Sequence, residues 1–219
     1  MDEVKLSKKE FRKIRTVFEK NLLKAVASQM KGINWKKAQN VIFCEKSDYY
    51  YSVSIDTFTN DEKTKLTFSV KPMNIDPLFW DIMNMTENEK EPLSFRTWGA
   101  FTCSEIPTEE KEILDGSANE QLLAEEIVSW ADKLLEEFDV RYSEQKFSYL
   151  IKDHENQRER GAYSISLVTT LIAEGNLEEA RKYASSYDSR ELKSVSSMSS
   201  QGKSFHAHAM NWIDNRKSV

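Results

Sequence analysis

The sequence predicts an α+β protein: an antiparallel sheet of about four strands flanked by two long helices, followed by an all-helical C-terminal subdomain. Three observations carry this. Apolar residues recur at helical spacing near both ends of the first 140 residues, they alternate with period two between those stretches, and no alternating stretch returns afterwards. Composition agrees, since 39% hydrophobic residues supply a core while six Gly and four Pro leave long elements uninterrupted.

Ser7 followed by Glu10 has the form of a capping box, and Phe11, Ile14, Phe18, Leu22, Ala25 and Gln29 then recur three and four apart up to Gly32. This is the first long helix. From Val41 the period changes to two: Tyr49, Tyr51, Val53 and Ile55 alternate with Tyr50, Ser52, Ser54 and Asp56, and Leu66, Phe68 and Val70 follow a polar turn. Asp76 before Pro77 predicts an N-cap and first helical residue for a short helix. A further strand is expected over Leu93–Cys103, with Leu93, Phe95, Phe101 and Cys103 facing one way and Arg96 and Trp98 the other. Thr108 is expected to start a short helix, and Ser117 with Glu120 reads as a second capping box before Leu122, Ile127, Trp130, Leu134 and Phe138. A boundary near Val140 then separates an α+β domain, 1–140, from a helical subdomain, 141–219. Within the latter, residues 185–204 hold nine serines and read as a connector before a last helix, Phe205 to Arg216, with Met210, Trp212 and Ile213.

The run Leu171-Ile-Ala-Glu-Gly-Asn-Leu-Glu-Glu-Ala-Arg-Lys-Tyr-Ala184 resembles the turn and second helix of a tetratricopeptide hairpin, in which Gly ends one helix and small Ala positions admit the next. The resemblance covers residues 161–187 and one hairpin. An array needs several copies at fixed period, and no second copy is present, so the resemblance implies an ordinary αα-hairpin rather than a peptide-binding solenoid.

Motifs for chemistry are sparse. Cys44 and Cys103 have neither disulfide-framework nor zinc spacing and sit in strand-like segments, which predicts buried thiols. Gly202-Lys203-Ser204 ends like a phosphate-binding loop, but position 197 is Ser and no buried strand precedes it. His206 and His208, two apart, lie about 200° apart on a helix and cannot share a metal there. His154 stands in a polar stretch of its own. No nucleophile elbow, HExxH or dinucleotide fingerprint occurs, so neither cofactor nor metal is expected. The opening MDEVKLSKKEF lacks an apolar leader core and no run is long enough to span a bilayer, from which a cytoplasmic protein without membrane contact is expected.

Charge is unevenly placed. Residues 1–40 hold 11 basic and 4 acidic side chains (+7), 41–140 hold 8 and 22 (−14), and 141–219 hold 12 and 10 (+2). The middle block opposes a phosphate backbone and argues against nucleic acid as the partner, despite Lys8, Lys9, Arg12, Lys13 and Arg15 in the first helix. Instead it predicts a partner protein with a basic surface, met by Glu105, Glu109, Glu110, Glu112 and Asp115 in one short loop and helix start. A second candidate surface is the outer sheet face, where Tyr50, Asp56, Arg96 and Trp98 would set aromatic rings beside a guanidinium. The expected function is therefore non-catalytic protein binding. A small, acidic protein of immunity or antitoxin type, covering a basic toxin domain in a bacterium, is its concrete version. The alternative is an enzyme or small-ligand protein with a pocket between sheet and helical subdomain, using Tyr50, Asp56, Arg96 or Trp98.

Overall fold

A computed structural model describes residues 7–58, 62–98, 101–116, 118–142, 146–157, 161–192 and 198–216. The protein is α+β, with a five-stranded antiparallel sheet and a helical C-terminal region. The chain forms two compact units. The first comprises residues 1–46, 51–69 and 107–141, and the second 47–50, 70–106 and 142–219. The chain thus passes back and forth between units instead of dividing once near Val140.

In the first unit, helix α1 spans Lys8–Gln29 and begins on the expected capping box: Glu10 N–H donates to Ser7 Oγ at 3.3 Å, while Ser7 N–H donates to the Glu10 carboxylate at 3.0 Å. Ser7 also holds the Glu10 carboxyl below its ordinary value by hydrogen bonding to the ionised form. Leu22, Ala25 and Val26 face the core as their spacing requires, but Ile14 is exposed and Arg15 is buried in its stead. Strands β1 (Lys36–Ala38) and β2 (Val41–Lys46) form a hairpin with Lys36 opposite Phe43, turning through Gln39 at φ +51°. Strands β3 (Tyr49–Thr57), β4 (Lys63–Pro72) and β5 (Ile106–Leu114) complete the order β1-β2-β3-β4-β5. Alternation is clearest in β4, where Thr64, Leu66, Phe68 and Val70 are buried.

Helix α3 (Glu120–Tyr142) packs on these rings: Trp130 meets Phe68 at 6.4 Å between centroids and Phe138 meets Tyr51 edge-on at 5.4 Å. Asn119 caps α3, its side-chain oxygen accepting from Gln121 N–H at 2.8 Å; Ser117, the expected cap, lies outside the described residues.

Two segments depart from expectation. The strand expected over 93–103 is a 3-10 turn, Leu93–Trp98, and the helix expected from Thr108 is β5. Glu-Glu-Lys-Glu is helix-favouring locally, but ladder pairing beside β4 overrides that preference, and the facing charges agree with it: Lys65 meets Glu110 at 3.0 Å and Lys63 meets Glu112 at 3.6 Å.

The second unit takes the start of β3 and the end of β4, helix α2 (Ile75–Met83), and helices α4 (Phe147–Gln157), α5 (Ser164–Ala173), α6 (Leu177–Asp188) and α7 (Phe205–Arg216). Asn74, not Asp76, stands at the N-cap of α2. The α5–α6 hairpin turns at Gly175, whose φ of +76° suits a residue without a Cβ, and Ala180 and Ala184 are fully buried in the close approach that follows. Part of the serine-rich connector is ordered as a tight hairpin, β6 (Ser199–Ser200) and β7 (Lys203–Ser204), with Gln201 and Gly202 both at positive φ. Gly202-Lys203-Ser204 is therefore hairpin turn and helix cap: Ser204 Oγ accepts from Ala207 N–H at 3.0 Å. Trp212 of α7 donates to Asp81 of α2 at 2.7 Å and lies beneath the Arg216 guanidinium.

His206 opens α7 buried between aromatic rings, with Tyr187 at 5.0 Å and Phe205 at 5.4 Å, and its Nε2 has no hydrogen-bond partner. Burial lowers its pKa from 6.5 to about 4, against the opposing pull of Asp188. The unfolded chain takes up this proton first as pH falls, so His206 contributes stability above pH 6.5 that is lost on acidification toward pH 4. Denaturant midpoints measured across that window should fall more steeply for the wild type than for His206→Phe; equal slopes would remove His206 from the pH response.

Candidate functional site

At one end of the first unit, α1, the end of β3, the start of β4 and the end of β5 converge on a buried ion pair. Arg15 grips Asp115 with two nitrogens, at 2.6 and 2.9 Å, and spends its other bonds on the carbonyls of Phe58 (3.0 Å) and Lys63 (3.1 Å). Thr64 Oγ donates to the same carboxylate at 2.5 Å, and Asp115 N–H donates to Glu62 O at 2.9 Å. The pair is thereby a clasp of the fold. Asp115, expected on an acidic surface, is instead buried and neutralised by the first helix.

On the segments that carry the clasp, apolar side chains remain in water. Leu114 is 78% exposed, Leu122 67%, Val17 59%, Ile14 51% and Phe58 40%. Ile14 and Leu114 each adjoin a member of the ion pair, Phe58 supplies one of its carbonyls, and Val17 lies one turn before Asn21, which bonds Glu120 at the start of α3 at 3.4 Å. Exposed apolar side chains next in sequence to the clasp, with Glu110 and Glu112 outward on the strand that ends at Leu114, have the makeup of a docking surface. Sequence periodicity hides this group, because Ile14 carries the same spacing as the core residues Leu22 and Ala25.

The remaining expected acidic residues are dispersed. Glu110 and Glu112 project from β5, an edge strand, in their pairs with Lys65 and Lys63. Glu109 is half-buried on the same strand, and Glu105 is half-buried in the second unit. Three of the five thus lie on one strand, β5, and not in a loop and helix start.

The expected sheet-face residues are divided between the two units. Asp56 is exposed in the first unit, where it accepts from Asn40 at 3.0 Å and Ser54 at 3.1 Å. Tyr50 is fully buried in the second unit, with Lys71 Nζ 5.5 Å from its ring centroid. Arg96 belongs to a 3-10 turn and points inward, and the side chain of Trp98 lies outside the described residues.

Arg96 leads to a second buried cluster. Asp76 receives Arg96 Nη1 and Lys71 Nζ on one carboxylate oxygen, the latter at 3.0 Å, and Cys103 N–H on the other at 2.8 Å. Lys71 also donates to Cys103 O at 2.9 Å, and Arg96 to Met73 O at 3.3 Å. Burial and the neighbouring Asp76 carboxylate push the Cys103 thiol well above its ordinary value, outweighing Lys71, Thr169 and Arg96. The thiol thus stays protonated and is unsuited to attack as a nucleophile. This cluster fixes β4, α2 and the segment before β5 by satisfying each buried polar group.

The chain matches no protein-family model, no curated protein and no solved structure. Among the described residues, no three His, Cys, Asp or Glu side chains are placed to hold a metal ion, and no helix is long and apolar enough to cross a membrane.

Proposed function

We propose that the protein acts by binding another protein, through the end of the first unit where Ile14, Val17, Phe58 and Leu114 surround the Arg15–Asp115 clasp. The carrying observation is Leu114, 78% exposed at the end of a nine-residue edge strand whose outward carboxylates are Glu110 and Glu112. Leucine there contributes nothing to the core and has area to bury against a partner. The adjacent ion pairs do not block this reading. Exposed pairs of the Lys63–Glu112 kind contribute about 0–1 kcal/mol, so Glu112 can exchange its lysine for a partner's cation at little cost.

The partner this fits has an apolar centre bordered by lysine or arginine. An inhibitor of immunity or antitoxin type covering a basic toxin domain is one such pairing. Capture from the native cell, followed by binding kinetics with the purified partner, tests the proposal. Leu114→Glu with Val17→Glu should abolish capture with the fold intact by circular dichroism. Charge reversal at Glu110 and Glu112 should slow association and flatten its salt dependence. Undiminished capture by the Leu114 and Val17 variant would overturn the assignment.

A further inference from the structure

The first unit also carries a groove of about 560 Å³ between the middle of α1 and the β1–β2 hairpin. Glu19, Lys20, Leu23, Lys24 and Ala27 line it from the helix, and Lys37, Gln39 and Asn40 from the hairpin. Its volume lies in the range of small-molecule sites, about 300–1,000 Å³.

The chemistry of the walls is asymmetric. Leu23, Ala27 and the lysine stems give an apolar floor, while three ammonium groups against one carboxylate leave a formal excess of two positive charges. Lys20 and Lys24, four apart, share one helix face and have no acidic partner within ion-pair distance among the described residues. Like charges at this spacing repel, and an anion between them relieves that repulsion. Lys37 is anchored from the opposite wall, its ammonium donating to Gln39 O at 2.5 Å. Asn40 is held by its bonds to Ile55 O (3.4 Å) and Asp56 (3.0 Å), so the hairpin wall is braced by β3.

From this groove we infer a binding site for a small organic phosphate, a ligand with an apolar body and at least two negative charges. The charged end lies across Lys20 and Lys24, with Lys37 facing it, and the body rests on Leu23 and Ala27. This groove adjoins the apolar group through Val17, one turn before Lys20 on the same helix, but the two readings rest on different side chains and neither depends on the other.

Calorimetric titration of the full chain with three probes tests it. Adenosine diphosphate supplies charge and body, pyrophosphate charge alone, and adenosine body alone. Adenosine diphosphate should bind saturably and more tightly than pyrophosphate, weaken as salt rises, and lose about tenfold in affinity for each of Lys20→Gln and Lys24→Gln. Adenosine should not bind measurably. Both substitutions fall at exposed helix positions, so the variants should retain the wild-type circular dichroism spectrum. Absence of saturable binding, or equal affinity in the lysine variants, would overturn the inference.

Discussion

Asp76→Ala should destabilise the second unit by about 3–5 kcal/mol, because it strands Lys71 and Arg96 as buried cations facing each other with no carboxylate between them. Total stabilities are about 5–15 kcal/mol, so the loss is a large fraction of what holds a domain folded. The Cys103 amide loses its acceptor in the same change. Lys71→Met should cost clearly less: it removes one cation, keeps the apolar length of the side chain, and leaves Asp76 bonded to Arg96 and the Cys103 amide. Two units need not unfold together, so hydrogen exchange is the suitable measurement. Amides of 70–106 and 142–219 should lose protection before those of 8–46. A loss below that of Lys71→Met would show that Asp76 is not the hub.

Asp115→Ala should have the matching effect in the first unit, also about 3–5 kcal/mol, since Arg15 is 4% exposed and would keep its charge without a counterion. Here protection should fall first in 8–46 and 107–116. The double replacement Arg15→Met with Asp115→Leu should recover most of the loss, as an apolar pair removes the unpaired charge altogether. Failure to recover would mean that the guanidinium bonds to the Phe58 and Lys63 carbonyls, and not the ion pair, fasten this end of the unit.

What the sequence made legible follows from the range of the forces involved. The Ser7–Glu10 cap, the alternation of Leu66, Phe68 and Val70, and the turn at Gly175 are decided by residues within a few positions, and each is as its local pattern indicates. Strand β5 was not legible, because Glu109 to Glu112 favour a helix until β4 lies alongside and pairs with their backbone. Asp76 and Asp115 were misplaced for a related reason. Asp76 reads as an N-cap from the proline that follows it, and Asp115 as one more solvated carboxylate in an acidic stretch; the cations that draw them inward, Lys71 and Arg96 for the first and Arg15, 100 residues away, for the second, are invisible to a local pattern. The acidic block was legible as composition, but its division between Glu110 and Glu112 outside and Asp115 inside depends on those distant partners. The groove was equally hidden, since Lys20 and Lys24 read as an ordinary solvated helix face until the β1–β2 hairpin supplies the second wall.

The way the backbone threads between its two units has a consequence for biosynthesis. It crosses after residues 46, 50, 69, 106 and 141. Neither unit can therefore be completed while the other is still unmade, and no single cleavage releases one whole. On the ribosome, Arg15 must wait for Asp115 to be added, a delay of about 5–20 s at ordinary elongation rates. Throughout that interval the emerging first helix keeps its core-facing leucine and valine side chains uncovered, the condition under which nascent polypeptides depend on chaperones.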